Sequence, residues 1–370
     1  MSKICTVVVN GEAFSANCGD LLLDAALMNG IDIPHDCRSG ICGTCRVRVL
    51  DGLILAGQTG DPEAVYACQF PVISDLTVVV EDVPEITTVA GQIFDLIPLA
   101  ADVVEVCIAL PQAAEFLPGQ YYKVEFRGFP PRCFSPTAPM SAPANGRIIR
   151  LHVRRLPNGR VSSALGRSIR RRHRVKLLGP FGSAYFRPGG PHRLVLVAGG
   201  TGFAPVWSIA DAAMNENPER ELVLVVGARR LESLYMIPAL SRLARYRNVS
   251  IIPVTSEPQT LSRVVRAGRQ TDYMPALSPY DLVYAAGAPS MVEGVARMAR
   301  EAGAKCYADP FEPMADGGES AGLFSRTIAW FGREARVSSP SIAPALQRRG
   351  QRMSDTPRTA TDKFPLRTPY

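Results

Sequence analysis

Four cysteines at a fixed spacing limit what this chain can fold into more than any other feature. Cys37, Cys42 and Cys45 are separated by four and then two residues, and Cys68 stands apart from them. The first residues lack the apolar stretch and cleavage site of a secretory signal, so we expect a cytoplasmic protein. In that compartment, clustered thiols indicate a metal or redox site rather than a set of disulfides.

This spacing is that of a plant-type [2Fe–2S] cluster, in which C-x4-C-x2-C and one distant cysteine bind two irons. Gly40 and Gly43 would let the loop backbone wrap closely and aim N–H groups at the sulfurs. A structural zinc site is the alternative, but zinc usually takes four cysteines as two close pairs, and only one close pair is present. A Rieske centre would need two histidines, and His35 has no second histidine nearby.

The charges are distributed unevenly along the 370 residues. Residues 1–84 carry 4 basic and 11 acidic side chains, residues 85–310 carry 28 and 17, and residues 311–370 carry 9 and 6. The formal charge of +7 therefore divides into an acidic module, a basic body and a basic tail. No apolar stretch approaches about 18 residues, so we expect no membrane span.

The first part of the chain, residues 1–84, is predicted to contain short strands and one helix. Thr6–Val9 and Glu12–Ser15 flank Asn10 and Gly11, which is a hairpin signal because Asn-Gly tolerates positive φ. Leu21–Met28 is predicted to be helical. Residues 83–91 have the composition of a linker.

Two further folded parts and a tail follow. Residues 91–190 carry strand-like runs broken by Pro and Gly, a pattern typical of a small antiparallel barrel. In residues 191–312, strand-length apolar runs alternate with helical stretches, which predicts a parallel α/β sheet. Residues 313–370 are rich in Pro, Ser, Arg and Gly, so we expect a disordered tail.

Three segments have the composition of nucleotide sites. Gly199–Pro205 follows an apolar strand and opens a helix, where glycines and the helix N-terminus favour a phosphate, although the strict G-x-G-x-x-G pattern is not met. Arg132–Ser135 offers an arginine, an aromatic ring and a hydroxyl, and Asn158–Ser163 offers a second phosphate loop. For each of these segments alone, an ordinary surface loop is the favoured interpretation.

The order of these motifs resembles that of the ferredoxin–NAD(P)H reductase superfamily. C-x4-C-x2-C with Cys68, R-x-[YF]-S, G-x-x-S, G-G-T-G-x-x-P and Y-x-x-G-x-P-x-M follow one another within residues 3–312. More narrowly, the chain looks like the reductase components of multicomponent aromatic or alkane oxygenases. The resemblance implies a β-grasp [2Fe–2S] ferredoxin domain in residues 1–84, an antiparallel β-barrel FAD domain in residues 91–190 and an α/β NAD domain in residues 191–312.

The resemblance also implies roles for single residues around the metal and the flavin. The four cysteines would be the cluster ligands. Arg132 would bind the FAD pyrophosphate, Phe134 would stack on the flavin in place of the usual Tyr, and Ser135 would lie near flavin N5 as a catalytic residue. Further FAD contacts would come from two segments: His152, Val153 and Arg154 on a strand, and Gly159, Val161 and Ser162 in the phosphate loop.

For the nicotinamide nucleotide, the resemblance implies a cradle and a covering loop. Gly200, Thr201 and Gly202 would hold the dinucleotide, with Thr201 counted as a catalytic residue. The covering loop and the carboxy-terminal motif would contribute Gly287, Pro289, Met291, Asp309 and Phe311. Where the family usually has Cys, this chain has Ala286, so hydride transfer is expected to be slower or differently positioned.

The choice between NADH and NADPH depends on which side chains meet the adenosine ribose. Asp or Glu suits the 2′-hydroxyl of NADH, whereas Arg or Lys suits the 2′-phosphate of NADPH. Glu257 lies where NADPH-using relatives tend to have Arg, and it favours NADH, whereas Arg229 and Arg230 favour NADPH. We expect NADH to be preferred.

The resemblance therefore implies an NADH-dependent reductase that passes electrons through FAD and the [2Fe–2S] cluster to a terminal oxygenase or its ferredoxin. The same core could serve a non-oxygenase acceptor such as a deoxysugar dehydratase, and a redox-sensing module without turnover is a further alternative. We expect a monomer that binds no nucleic acid. The basic run over residues 167–176 is interpreted as a solvated loop or as a docking face for the acidic module.

Overall fold

The structure is a computed structural model, and it describes residues 4–40, 43–54, 64–140, 146–188, 192–257 and 264–311. Three β-sheets follow one another along this part of the chain. The predicted tail, residues 313–370, and the cluster cysteine Cys42 lie outside the described residues.

The first sheet is mixed, with the strand order β2-β1-β5-β3-β4. Asn10 and Gly11 have φ values of 52° and 90°, so the predicted hairpin with an Asn-Gly turn is confirmed. The elements are β1 (Ile4–Val9), β2 (Glu12–Asn17), α1 (Leu22–Met28), β3 (Arg46–Gly52), β4 (Ala64–Tyr66) and β5 (Leu76–Val80).

The second sheet is antiparallel, with the order β10-β7-β6-β11-β8-β9. Its two edges approach each other, because Pro136 and Leu151 form an antiparallel bridge and Thr137 N donates to Arg150 O at 2.9 Å. The sheet therefore curls into the barrel that was predicted. Its strands are β6 (Thr87–Pro98), β7 (Val103–Ala109), β8 (Tyr121–Phe126), β9 (Arg132–Phe134), β10 (Ile148–Arg154) and β11 (Arg174–Phe181).

Two of these strands correct the sequence interpretation. The linker expected over residues 83–91 ends earlier, because β6 begins at Thr87. The basic run expected to be a loop enters a strand, since Arg174 and Lys176 are exposed on β11 and alternate with buried Val175 and Leu177. Long basic side chains on the solvent face of a half-buried strand have the same composition as a charged loop.

The third sheet is parallel throughout, with the order β15-β14-β13-β12-β16-β17. Its central strands are buried on both faces, which explains their unbroken apolar sequences. The elements are β12 (Arg193–Gly199), α2 (Phe203–Glu216), β13 (Leu222–Ala228), α3 (Ile237–Leu243), β14 (Val249–Thr255), β15 (Arg266–Ala267), β16 (Asp281–Gly287), α4 (Pro289–Glu301) and β17 (Lys305–Pro310). The predicted α/β sheet is confirmed. None of the described helices is long and apolar enough to cross a membrane.

The second and third sheets are joined by polar contacts through an otherwise apolar core. Trp207 Nε1, on α2, donates to Ala138 O at 2.9 Å, and Arg242 donates to Pro139 O at 2.8 Å. His152 Nδ1 lies 3.0 Å from the Tyr235 hydroxyl. The loop after β9 is therefore fixed against α2 and α3.

A buried ion pair fixes the amino-terminal ends of β12 and β16. Arg193 donates to both carboxylate oxygens of Asp281, from Nε at 2.8 Å and from Nη2 at 2.9 Å, and Ser278 N adds a third bond at 2.6 Å. Burial raises the pKa of Asp281, but hydrogen bonds from Arg193 and Ser278 outweigh it, so that pKa lies below its ordinary value. The carboxylate is therefore ionised in the folded protein at neutral pH.

We expect Asp281→Asn to lower the free energy of unfolding by about 2 kcal/mol at pH 7, because it removes charge-assisted hydrogen bonds while half-buried Arg193 keeps Ala276 O and Glu221 as partners. The difference should shrink in acid. Stabilisation by Asp281 is complete above the unfolded-state pKa and is lost as the pH falls through the lower folded-state pKa. Denaturation followed by Trp207 fluorescence, in a Trp330→Phe background, measures both effects. An equal difference at pH 7 and at acidic pH would contradict the prediction.

Candidate functional site

Three of the four motif cysteines are described, and they lie close together below the surface. Cys45 and Cys68 are each 2% exposed, and Cys37 is half-buried. A hydrogen bond from the Cys45 side chain lowers the pKa of the Cys68 thiol, burial opposes it, and a backbone bond from Gly40 assists. Ser39 N donates to Cys37 Sγ at 3.4 Å. The loop thus directs backbone donors toward sulfur.

The loop backbone adopts conformations that favour glycine. Gly40 and Gly43 have φ values of 75° and 67°, and Arg38 between the first two cysteines has a φ of 54°. A Cβ on Gly43 would lie only 2.1 Å from Ser183 Oγ, which belongs to the loop after β11. Gly43 is therefore required both by its backbone angle and by the approach of the second sheet.

The donor set fits a two-iron cluster. Two irons share four thiolates, so each iron takes two protein ligands. Beside the loop, His35 Nδ1 lies 2.8 Å from Ile33 O, so a local backbone contact orients this ring.

The R-C-F-S segment forms the edge strand β9 and the turn after it. Alternation places Arg132 and Phe134 on one side of the strand, both half-buried, and Ser135 is 5% exposed. Phe134 packs against the barrel core. This edge therefore presents an arginine and an aromatic ring together, as the sequence predicted.

The predicted phosphate loop is a compact turn that begins after β10. Ser162 Oγ accepts a bond from Leu156 N at 3.1 Å, and Ser163 N donates to Gly159 O at 2.9 Å. A Cβ on Gly159 would lie 2.3 Å from Ser162 Oγ. Val161 is buried in the barrel core, so any phosphate contact it makes would come from its backbone.

The side chains of His152, Val153 and Arg154 on β10 do not converge on one site. His152 is buried, with Nε2 3.7 Å from Glu105 Oε1, and burial lowers the pKa of its imidazole despite that carboxylate. Val153 is in the core, and Arg154 Nε pairs with Asp102 at 2.9 Å on the surface. What these residues have in common is the strand backbone, so a flavin contact along β10 would use main-chain atoms.

The predicted dinucleotide segments come together at the carboxyl ends of β12 and β16. Gly200–Gly202 forms a single 3-10 turn between β12 and α2, and Thr201 is half-buried there. A Cβ on Gly202 would lie 2.1 Å from Ala286 O, and a Cβ on Gly287 would lie 2.7 Å from Gly199 O. The two turns therefore touch backbone to backbone.

This position is where an open parallel sheet binds ligands, because the connections on its two halves diverge there. Pro289 is at the start of α4, and the Met291 side chain lies against Gly199. Phe311 N donates to Gly287 O at 2.7 Å, which brings the carboxy-terminal motif to the same edge.

Asp309, on β17, is an unusual carboxylate in this region. Its Oδ2 is buried without a hydrogen-bond partner, and burial raises the pKa of the side chain to about 7.

The cluster loop lies beside β9. Asp36 of that loop pairs with Lys123 on β8, and Lys123 lies opposite Cys133 in the β8–β9 ladder.

Glu257, which the sequence analysis assigned to the adenosine ribose, forms ion pairs with two arginines. Its carboxylate pairs with Arg229 Nε at 3.1 Å and with Arg230 Nε at 3.0 Å. The residues whose preferences conflicted in the sequence thus form one ion-pair group.

Sequence reasoning missed the residues that join the first sheet to the second. These are Asp36, Glu81, Lys123 and Arg187. They belong to no motif, and the only signal was that Asp36 immediately precedes Cys37. The two ion pairs formed by these residues include no member of the basic run over residues 167–176.

We expect Gly200→Ala and Gly202→Ala to differ sharply. Gly200 has a φ of 57° but open space around it, so alanine should cost about 1 kcal/mol in backbone strain. Gly202 has an ordinary φ of −58°, but a Cβ there would collide with Ala286 O. Gly202→Ala should therefore lose NAD⁺ binding and melt several degrees lower than Gly200→Ala. Calorimetric titration and thermal unfolding test this, and equal behaviour of the two variants would contradict it.

Comparison with known protein families gives three matches in chain order. The family model described as the 2Fe-2S iron-sulfur cluster binding domain matches residues 7–72. The oxidoreductase FAD-binding domain matches residues 92–186, and the oxidoreductase NAD-binding domain matches residues 196–297. These matches correspond to the first, second and third sheets.

Whole-chain relatives have the same three parts. The ferredoxin–NAD(P)(+) reductase component of the naphthalene 1,2-dioxygenase system of Pseudomonas putida is 30% identical, over 82% of this chain and 97% of the relative. The corresponding component of the naphthalene 1,2-dioxygenase/salicylate 5-hydroxylase systems of a Ralstonia species is 32% identical, over 81% and 95%. The xylene/toluene monooxygenase electron transfer component of Pseudomonas putida is 30% identical, over 78% and 87%.

Solved structures give the same result. The Amycolatopsis cytochrome P450 reductase GcoB is 27% identical, with a TM-score of 0.60 over 84% of this chain and 99% of that chain. The ferredoxin reductase in carbazole 1,9a-dioxygenase has the same fold, with a TM-score of 0.58, 24% identity and the same coverage. With its cluster loop, flavin barrel and dinucleotide edge in this order, the chain belongs to the family of ferredoxin–NAD(P)⁺ reductase components of multicomponent oxygenases.

Proposed function

We propose that this protein takes electrons from NADH and delivers them to the terminal component, or the ferredoxin, of an oxygenase that hydroxylates an aromatic or hydrocarbon substrate. The observation that carries the proposal is that the cluster loop and the dinucleotide-binding sheet both contact the FAD barrel. Asp36 of the cluster loop pairs with Lys123, which lies opposite Cys133 in the β8–β9 ladder, and Arg187 after β11 lies over the Tyr307 ring on β17. A carrier of electrons from a dinucleotide to a metal cluster needs these three sites within reach of one another.

Bound FAD would supply the chemistry that converts the two-electron hydride of NADH into single electrons for the [2Fe–2S] cluster. The chain supplies position and charge for this conversion. Cys37, Cys42, Cys45 and Cys68 hold the cluster, with backbone N–H groups directed at sulfur. Arg132 neutralises pyrophosphate, and Phe134 offers a ring face for stacking.

The carboxyl ends of β12 and β16 supply the nicotinamide site. Gly200–Gly202 leaves room for phosphate at the start of α2, and Thr201 and Ser135 are the polar side chains assigned to the reacting end. Ala286 is 3% exposed, and its methyl group provides no thiol contact there. We therefore infer that nicotinamide is aligned by the backbone of this edge together with Phe311.

The partner and the compartment are part of the same proposal. A cluster of cysteines that binds a redox centre rather than forming disulfides is typical of a reducing compartment, so we propose the cytoplasm. The acidic charge of the amino-terminal domain suits a basic face on the acceptor. We propose that the reductase acts as a monomer.

The test of this function compares Cys68→Ser with Cys18→Ser, which removes an exposed thiol outside the motif. Wild type and Cys18→Ser should show flavin and iron–sulfur absorption and should reduce cytochrome c with NADH. Cys68→Ser should lose the iron–sulfur absorption and the cytochrome c activity but keep NADH–ferricyanide activity, because ferricyanide takes electrons from flavin directly. A wild-type protein that lacks either chromophore would refute the proposal.

The proposed function also predicts that the protein prefers NADH to NADPH. Glu257 neutralises Arg229 and Arg230, so the 2′-phosphate of NADPH would meet an occupied pair of guanidinium groups and a repelling carboxylate. Glu257→Gln should raise kcat/KM for NADPH about tenfold, as one lost charge contact is worth roughly 1.4 kcal/mol. The matched control is Glu232→Gln, since Glu232 lies 3.9 Å from Arg230 and is more exposed. A wild type that prefers NADPH, or equal effects of both variants, would overturn the assignment.

A further inference from the structure

The cluster loop of the ferredoxin domain rests directly on the FAD barrel. Gly182 N, after β11, donates to Thr44 Oγ1 at 3.0 Å, and Ser183 occupies the space that a Cβ on Gly43 would need. Thr44 and Gly43 both lie immediately before Cys45. The contact therefore places a cluster ligand next to the barrel backbone.

One buried ion pair lies beside this contact. Asp36, which precedes Cys37, pairs with Lys123 on β8, and its other oxygen accepts a bond from Tyr121 Oη at 2.7 Å. The side chains of Asp36 and Lys123 are only 6% and 13% exposed. The Lys123 ammonium also lies 5.0 Å from the centre of the Phe181 ring. Each charge is therefore satisfied within the interface, with little help from water.

A second ion pair lies where the ferredoxin domain ends. Glu81 follows β5, and its Oε2 accepts from Arg187 Nη2 at 2.6 Å and from the Tyr185 hydroxyl. Its other oxygen pairs with Arg46 of the ferredoxin domain. One carboxylate thus joins a guanidinium on each side of the domain boundary.

Arg187 carries this connection on to the NAD domain. Its guanidinium carbon is 4.1 Å from the centre of the Tyr307 ring on β17, and Arg46 contacts the same ring from 5.6 Å. Residues of all three domains therefore meet at Glu81 and Arg187.

The two ion pairs favour one orientation of the ferredoxin domain on the FAD barrel. Charges in an interface of low dielectric constant fix one register, and removal of one partner strongly disfavours the paired state. Between Glu81 and β6 only residues 82–86 connect the two domains. With the pairs broken, the ferredoxin domain would remain tethered but would no longer be held in one orientation.

We propose that Glu81 and Lys123 are positioning residues: through Arg187 and Asp36 they dock the ferredoxin domain so that its cluster loop stays against the FAD barrel. The docked state is the one that receives electrons from flavin. This inference rests on the proposed electron-transfer function, and it adds to that function a defined intramolecular interface.

Hydrogen–deuterium exchange on the full-length holoprotein tests the docking without any turnover. The variants are Glu81→Gln and Lys123→Gln, and their controls are Glu85→Gln and Lys176→Gln, in which exposed residues of the same linker and the same barrel change in the same way. In the two test variants, exchange in peptides that contain Gly182 and Ser183 should rise about tenfold, as docking is weakened. The controls should exchange as wild type does.

Anaerobic stopped-flow kinetics provides the second readout. NADH should reduce the flavin at the wild-type rate in all four variants. Reduction of the cluster by flavin should slow about tenfold in Glu81→Gln and Lys123→Gln, because a smaller fraction of molecules is docked. The electron paramagnetic resonance spectrum of the reduced cluster should be unchanged, since the ligands are intact.

The two measurements separate failure of the docking proposal from failure of the proposed function. Wild-type exchange and wild-type cluster reduction in both test variants would overturn the proposal. A parallel loss of flavin reduction and cluster reduction would also overturn it, because the residues would then support the fold or the hydride step. Absence of NADH-dependent flavin reduction in the wild-type protein would instead refute the proposed function, which keeps the two failures distinct.

Discussion

The contact of Arg187 with Glu81 and Tyr307 is the constraint on which the arrangement of the three domains depends. Arg187 lies at the end of the barrel, Glu81 at the end of the ferredoxin domain and Tyr307 on β17 of the NAD domain. Burial raises the pKa of Glu81, but Arg187 and Arg46 lower it further than burial raises it, so the carboxylate stays ionised at neutral pH. Because Tyr307 also stacks on Tyr284, with ring centres 5.2 Å apart, the position of the cluster loop is coupled to the strand that ends at Ala286 and Gly287.

The sequence predicts a strand well when both faces of that strand are buried, because its residues are then apolar without interruption. β12, β13 and β16 are buried on both faces, and their unbroken apolar runs predict each strand to within two residues at either end: Leu194–Ala198, Leu222–Val226 and Leu282–Ala285. β6 and β11 are different, because one face of each is solvated and carries Thr, Gln, Arg or Lys. A linker and a charged loop have that same composition. These two strands are recognised only when the rest of the barrel is present to pair with them.

In the candidate site, positions fixed by close backbone contacts or by the cluster are predictable from the sequence, whereas side-chain contacts across interfaces are not. Glycines in close contacts, such as Gly202 against Ala286 O, leave a sequence signal because no other residue fits. The cysteine spacing is likewise fixed by the cluster it binds. His152 was assigned to the flavin from its place in a strand, yet its side chain points to Tyr235 and Glu105. Asp36 and Glu81 left almost no signal, because an acidic residue that pairs across an interface resembles an acidic residue in water.

The acidic residues of the ferredoxin domain therefore have two roles that the sequence does not distinguish: some pair with the FAD barrel, and others remain exposed to solvent. Asp36 faces the barrel in a buried pair and Glu81 in a half-buried pair, and dissolved salt screens such pairs less than it screens exposed charges. Among the described residues of this domain, seven other acidic side chains are exposed: Glu12, Asp20, Asp24, Asp32, Asp51, Asp75 and Asp82. Charges of that second kind act over a Debye length and steer a partner of opposite charge. Transfer from flavin to cluster within the chain should consequently be nearly independent of ionic strength, whereas delivery to an external acceptor should slow as salt is added, and the two steps are separable by that difference alone.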